Sequence, residues 1–521
     1  MAPAVKQPTI LWVDDEIDLL KPHVIFLENK GFFIVTATNG SDALEEVKQH
    51  YFDLIFLDEN MPGLSGLETL NEIKQLKPEV PVVMVTKSEE ENIMDEAIGL
   101  KISDYLIKPV NPNQLLLSIK KNLQTKELIS QKTITNYQQE FSIISQLIST
   151  AKFPQDWIYI YKKLVSWELL LQDSSVEGMN EILKTQFYEG NHRFLRFIKN
   201  NYLEWFLGDK ENKPVLSQNL FKEYVFPLLD NGEKVVFILI DNLRYDQWKI
   251  LQPVINQYFD VKQDDIYYSI LPTATQYSRN AIFSGLMPLE IEHIHSDLWV
   301  GEDVDEMKNL HEEELLRNQI NRYGKNYSFN YEKINNLQMG QKLVQQTSKV
   351  LQKELSVIIF NFVDMMSHAR TDRQMMRELA NDESAYCSLT LSWFKHSPLF
   401  EFLKEISNEN VKVILTTDHG SIRVFNPVKV IGDKSTSSNL RYKMGKNLNY
   451  NPKQVFEVKH PHDAHLPVLN LSSRFIFCSG SDFFAYPNNY NYYVNYYKNT
   501  FQHGGISMEE MLIPIIQLNP V

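Results

Sequence analysis

The chain has 521 residues, 52 basic and 66 acidic side chains and a formal net charge of −14, which argues against wrapping duplex DNA, since that needs basic surface to neutralise phosphates. Its length allows two to four domains, each with its own core. The two cysteines, Cys387 and Cys478, cannot build a disulfide framework, no leader-like segment opens the chain, and no apolar run reaches bilayer length; the expectation is a soluble, cytoplasmic protein without membrane insertion.

Thr9-Ile-Leu-Trp-Val is an apolar run ending in Asp14, Asp15 and Glu16, and Phe52-Asp-Leu-Ile-Phe-Leu ends in Asp58 ahead of Met61-Pro-Gly-Leu-Ser-Gly66. Val82-Val-Met-Val ends in Thr86, and Asp104-Tyr-Leu-Ile ends in Lys108 before Pro109. Helical patterns lie between the runs, as over 42–48 and 67–76, giving a doubly wound, flavodoxin-like α/β order. Strand-end groups of such a sheet meet at one edge. Asp14 and Asp15 then supply carboxylates for Mg2+, Asp58 accepts a phosphoryl group, and Lys108 and Thr86 hydrogen-bond its oxygens. Over 1–124 these residues resemble a two-component receiver domain. The resemblance implies Tyr105 as a rotameric switch, a sensor histidine kinase as partner, and a homodimer on phosphorylation.

Over 125–207 the pattern turns helical, with Phe141, Ile144, Leu147 and Ile148, then Trp157, Tyr161, Leu164 and Trp167, at helical spacing. This reads as a small helical bundle linking sensor to effector. It is not notably basic and offers no recognition helix, so DNA-binding output is not expected.

From 208 to 521 three apolar runs end in metal-ligand chemistry. Val235-Val-Phe-Ile-Leu-Ile stops at Asp241, Val357-Ile-Ile-Phe-Asn-Phe-Val stops at Asp364 with His368 four residues on, and Val411-Lys-Val-Ile-Leu-Thr-Thr stops at Asp418-His419-Gly420. In an open parallel sheet such ends converge on one crevice. With His503 of Gln502-His-Gly-Gly505 there are six hard or borderline ligands, enough for two zinc ions sharing a substrate phosphate. Between them lies Leu271-Pro-Thr-Ala-Thr275. A threonine hydroxyl is a poor nucleophile until a metal lowers its pKa.

The order Asp241, Thr275, Asp364, His368, Asp418, His419, His503 resembles the alkaline phosphatase superfamily. Asn242-Leu-Arg-Tyr-Asp-Gln-Trp248, Leu271-Pro-Thr-Ala-Thr-Gln-Tyr277 and His503-Gly-Gly-Ile-Ser507 resemble its PglZ branch, implying an alkaline-phosphatase-like α/β/α effector. By that resemblance Asp241, Asp418 and His419 hold one zinc and Asp364, His368 and His503 the other, and Thr275, at the family's Pro-x-x-Thr spacing, is the nucleophile bridging toward both, with Thr273 in reserve. A receiver joined through a helical bundle to such a domain resembles response regulators linked to type IX secretion and gliding. The implied activity is a zinc-dependent phosphodiesterase acting on nucleotide compounds, cyclic or short oligonucleotides among them. The competing reading is a phosphorylation-switched scaffold that captures a sigma factor or secretion component. Structural zinc sites are usually closed and cysteine-rich, whereas these triads leave open positions, which favours catalysis.

Three further features are read more openly. His460, His462 and His465 form either another metal site or a polar rim loop; Lys434 to Lys443, with Arg441, forms either a phosphate-holding loop or a solvated hairpin; and the Tyr- and Asn-rich 486–497 forms either a base-stacking surface or an aromatic strand pair. Arg279, Lys434 and Arg441 are the substrate-binding candidates.

Overall fold

The structure is a computed structural model describing residues 7–87, 102–172, 178–207, 213–301, 309–366, 382–433, 436–468, 470 and 472–521, except the side chains of 124–132. His368 and Lys434 lie outside the described residues. The chain divides into two compact units, Met1–Asn136 and Tyr137–Val521.

In the first unit β1 (Thr9–Val13), β2 (Phe33–Ala37), β3 (Leu54–Leu57), β4 (Val82–Thr86) and β5 (Asp104–Ile107) form a parallel sheet in the order β2-β1-β3-β4-β5. Alternate residues along each strand feed opposite cores, as the two-residue period of a strand requires. Leu11, Val13, Ile55, Leu57 and Met84 pack with Ala43, Val47, Leu70 and Ile73 of the helices Gly40–Gln49 and Gly66–Leu76. Ile10, Trp12, Phe56, Val83 and Val85 pack on the other face with Leu27, Leu115 and Ile119. A strand covered on both faces reads as a continuous apolar run, which is why these runs were legible. Ser65 and Glu68 close a reciprocal capping box that fixes where the helix Gly66–Leu76 starts.

The second unit is built on a six-stranded mixed sheet. β6 (Val235–Ile240), β8 (Phe329–Ile334), β9 (Leu355–Phe360) and β10 (Lys412–Thr416) run parallel, while the C-terminal strand Leu512–Pro520 lies antiparallel between β10 and β7 (Phe259–Tyr268). The sheet is therefore not wholly parallel. The ligand-bearing strands nevertheless sit side by side, β10-β6-β9, with their carboxyl ends on one edge.

The helices Pro154–Gln172 and Met179–Asn201 belong to this unit's main core. Trp157 packs on Phe194 at 5.3 Å, and Phe194 and Trp205 pack on Tyr268 of β7 at 6.3 and 5.4 Å. The Tyr268 hydroxyl donates to the Pro154 carbonyl at 2.8 Å, and the Leu271 amide donates to the Tyr202 hydroxyl at 2.8 Å. The middle region thus shares the effector's core instead of standing off as a spacer. Tyr490–Tyr497 is a helix, not a strand pair; its rings stack one turn apart, Tyr492 on Tyr496 at 6.2 Å and Tyr493 on Tyr497 at 6.3 Å.

Candidate metal centre and receiver site

Asp241 follows β6 directly, and the chain turns at Asn242, which has φ 63°. The turn is held by the Leu243 amide donating to the Thr417 hydroxyl at 3.0 Å, and Thr417 in turn donates to the His419 carbonyl at 2.9 Å. Gly420 closes the Asp418-His419 turn because no side chain fits there: a Cβ would lie 2.0 Å from the Glu509 carbonyl oxygen. Asp241, Asp418 and His419 are all buried, with ligand atoms within 4.8 Å of one another.

His419 Nδ1 lies 3.1 Å from the Gly420 carbonyl, which turns Nε2 toward the Thr275 hydroxyl at 3.0 Å and Asp241 Oδ1 at 3.7 Å. A carbonyl on one ring nitrogen fixes the tautomer that leaves the other as a metal ligand. His503 repeats the device: Nδ1 is 3.2 Å from the Thr273 carbonyl, and Nε2 is 3.9 Å from Asp364 Oδ1. The two imidazoles stack at 4.2 Å. Asp364 lies four residues past the end of β9, in the helical turn 362–366, and accepts from the Asn242 side-chain Nδ2 at 3.2 Å. The candidate zinc triad of Asp364, His368 and His503 is thus described in two of its three members.

Thr275 is the first residue of the helix Thr275–Ser284 and is partly exposed. Thr273 is fully buried and spent on the backbone, donating to the Gly505 carbonyl at 2.9 Å and accepting from the Gly504 amide at 3.1 Å. Arg279, one turn after Thr275, lies among the carboxylates: Nε donates to Asp418 Oδ2 at 2.9 Å, one terminal nitrogen pairs with Asp241 Oδ2, and the other faces Glu312 at 3.6 Å.

Burial raises the pKa of Asp418, but Arg279 and His419 outweigh it and hold the group at about 2. Burial pushes Asp241 well above the usual carboxylate range; Arg279 opposes the rise, and Asp418 and Asp364 add to it. Asp241 Oδ1, buried, has no hydrogen-bond partner. Two oxygens and an oriented imidazole nitrogen around an unsatisfied buried carboxylate oxygen form a donor set suited to a divalent cation.

Arg441 sits elsewhere. It is fully buried, its guanidinium holding Glu510 at 2.6 and 3.1 Å and the Asp482 carbonyl, so it fastens the C-terminal loop and presents nothing to a substrate. Lys443 is buried too, donating to the carbonyls of Ser437 and Ser438. The solvated-hairpin and phosphate-loop readings both fail for these two residues. In the histidine stretch, Pro461–Ala464 is a short 3-10 helix and the His465 ring packs on Phe206 at 5.2 Å. Glu312, buried against Arg279, Tyr331 and Lys333, escaped sequence reading because Glu312-Glu-Glu314 looks like a solvated helix start.

In the first unit Asp14, Asp15 and Asp58 converge at the carboxyl edge of the sheet. Lys108 Nζ bridges Asp14 at 2.7 Å and Asp58 at 2.9 Å. Burial raises the pKa of Asp58, with Lys108 opposing. Thr86 is buried at the end of β4, and Tyr105, on β5, packs half-buried against the core.

An Asp-Asp-Lys edge in one unit and a histidine-carboxylate edge in the other define a response regulator with a phosphatase-like effector. The chain belongs to the family of the BREX system PglZ alkaline phosphatase-like domain, which matches residues 220–518. A response regulator receiver domain matches 10–120, and a PorX response regulator linker domain matches 127–206.

Among curated relatives, the transcriptional regulatory protein CpxR homolog of Haemophilus influenzae is 41% identical over 113 residues, 21% of this chain and 48% of that one. The alkaline phosphatase synthesis transcriptional regulatory protein PhoP of Bacillus subtilis is 28% identical over 187 residues, 35% and 72% of the two chains. The transcriptional regulatory protein ZraR of Escherichia coli O157:H7 is 32% identical over 137 residues, 26% of this chain, which spans only 31% of that protein's length. Solved structures that match include a CheY-like response regulator receiver domain protein of Methanospirillum hungatei, at 29% identity and TM-score 0.23 over 23% of this chain and 98% of that one. The Vibrio cholerae chemotaxis protein CheY4 matches at 28% identity and TM-score 0.22 over 22% and 99%.

Proposed function

We propose that this chain is a phosphorylation-controlled, zinc-dependent phosphodiesterase acting on nucleotide compounds. The observation that carries the reading is the Thr275 hydroxyl 3.0 Å from His419 Nε2, beside the buried pair Asp241 and Asp418. Asp241, Asp418 and His419 would hold one zinc, and Asp364 and His503, with His368, the other. When bound, the metal supplies positive charge that lowers the hydroxyl pKa and offsets charge on the phosphoryl oxygens. Thr275 Oγ1 loses its proton to solvent and bonds to phosphorus as the bond to one ester oxygen breaks, that alkoxide leaving as an alcohol with a proton from solvent; water then attacks phosphorus, restoring the Thr275 hydroxyl and releasing the phosphomonoester. Standing first in its helix, Thr275 also offers the phosphoryl group the positive end of the helix dipole. A panel of phosphomonoesters, diesters and cyclic oligonucleotides, offered to metal-replete protein, tests the reading. Turnover of none of them would refute it.

The metal assignment has its own expected result. Elemental analysis of purified protein should find two zinc ions per chain, and His503→Ala should lose one preferentially while keeping its fold. Equal metal content in the two proteins would remove His503 from the ligand set.

Asp58 is proposed as the phosphoacceptor, with Asp14 and Asp15 holding Mg2+, Lys108 and Thr86 receiving the phosphoryl oxygens, and a histidine kinase as donor. Phosphorylation then shifts the chain from monomer to a C2 dimer through a coupling energy of about 1–3 kcal/mol. Light scattering should show the mass doubling with a small phosphodonor in the wild type and unchanged in Asp58→Ala. Dimerisation of both proteins, or of neither, would contradict this switch. Among the described residues no helix is long and apolar enough to cross a membrane. A cytoplasmic role in type IX secretion and gliding is proposed, supported by the three-part arrangement and the linker match.

A further inference from the structure

Arg279 carries a full positive charge into the position where a cation is wanted, and yet its contacts are selective. It takes Oδ2 of Asp241 and Oδ2 of Asp418. Asp241 Oδ1 remains without a hydrogen-bond partner and lies on the side of His419 Nε2, 3.7 Å away. The fork therefore leaves Asp241 Oδ1 to the centre, while in Asp418 it grips the oxygen that faces His419 Nε2 at 3.9 Å and the other, Oδ1, accepts the His419 backbone amide at 3.1 Å. The guanidinium is itself 1% exposed and backed by Glu312, which is equally buried and anchored by Lys333 at 3.1 Å and by the Tyr331 hydroxyl.

The position of Arg279 in the chain adds a second consequence. Thr275 and Arg279 are four residues apart on the helix Thr275–Ser284, so they share a face. Fixing Arg279 on the two carboxylates fixes the rotation of that helix about its axis. That rotation aims Thr275 Oγ1 at His419 Nε2.

We infer that Arg279 is a positioning residue of the metal centre: with Glu312 behind it, it braces Asp241 and Asp418 as ligands and aligns the Thr275 helix, and it does not contact substrate. A planar guanidinium can grip two carboxylates at fixed angles, whereas an ammonium is a point charge. The charge count agrees. With both carboxylates ionised, as metal ligation requires, Asp241 and Asp418 with Arg279 sum to −1, so the braced pocket still attracts a dication. This inference rests on the metal-dependent reading above.

The test is zinc titration calorimetry on the metal-stripped full-length chain, with steady-state kinetics on the reloaded protein. Arg279→Lys keeps the charge and removes the fork. It should weaken one of the two zinc sites by about 10- to 100-fold, the range for residues that orient ligands from behind. The other site should be unmoved, and kcat should fall at unchanged KM. Glu312→Gln should shift the same zinc site in the same direction by a smaller factor, and it decides the matter if the lysine variant does not fold.

Zinc binding by Arg279→Lys as tight as wild type, or tighter, would overturn the brace, the latter marking the arginine as a competitor for the metal. A raised KM at unchanged kcat would make it a substrate contact and overturn the inference equally. Wild-type affinity in Glu312→Gln would do the same when the lysine variant cannot be read. Wild-type protein that takes up no zinc would overturn both the inference and the metal reading beneath it, and it is distinguishable because the failure lies in the unmutated chain.

Discussion

Thr275→Val is expected to keep its metal and its fold while turnover falls by about three orders of magnitude or more, because the oxygen proposed as nucleophile is replaced by a methyl group of similar size. The structure supplies a matched control two residues away. Thr273→Val loses the hydrogen bonds to Gly505 and Gly504 that tie the His503 loop to the Thr275 segment, leaving buried backbone groups unpaired at a cost of about 1–3 kcal/mol. The first variant should therefore unfold like wild type and fail to turn over, whereas the second should unfold earlier and retain some activity. Thermal unfolding beside single-turnover kinetics separates the two. A stable but inactive Thr273→Val, with Thr275→Val active, would move the nucleophile by two residues.

The largest expected effect on stability comes from Phe194→Ala. Phe194 is fully buried between Trp157 of the preceding helix and Tyr268 of β7, and deleting such a ring costs about 3–5 kcal/mol. Because one core joins the helices Pro154–Gln172 and Met179–Asn201 to the effector sheet, the loss should lower a single transition in which helices and sheet unfold together. Denaturant unfolding followed by far-ultraviolet circular dichroism and by activity should give coincident shifts. A helical transition that moves while the activity transition stays would show an independent bundle.

How much of this was legible in the sequence depends on what each residue faces. β6 is covered on both sides and is an unbroken apolar run, and β10 keeps an apolar centre over Val413-Ile-Leu415, so the first acid after each stands out. The run to Asp364 predicts a strand end as well, but β9 stops at Phe360 and, after Asn361, the apolar Phe362 and Val363 belong to a helical turn; hydrophobicity alone does not mark where a strand gives way to a helix. Residues 490–497 show the opposite difficulty. Tyrosine favours strands, yet here rings four apart stack along one side of a helix. Arg441 was legible as a cation near the site, but its partner Glu510 is 69 positions away and only the tertiary fold brings them together. The same holds for Arg279, whose i, i+4 relation to Thr275 is plain in the sequence while Asp241, Asp418 and Glu312 are supplied by three other segments.

The place of the strand Leu512–Pro520, between β7 and β10, bears on the order in which a growing polypeptide can take shape. The receiver pairs strands that follow one another closely, so its sheet can close once the strand ending at Ile107 has left the ribosome; contacts near in sequence form early. The effector must wait. Until residue 520 has been made, β10 lacks one neighbour, β7 has no partner in the sheet, and the turn bearing Asp418 and His419 lacks the Glu510 carbonyl that receives the Gly420 amide. A nascent chain would thus complete the receiver sheet well before the turn bearing Asp418 and His419 gains the strand and the carbonyl that hold it.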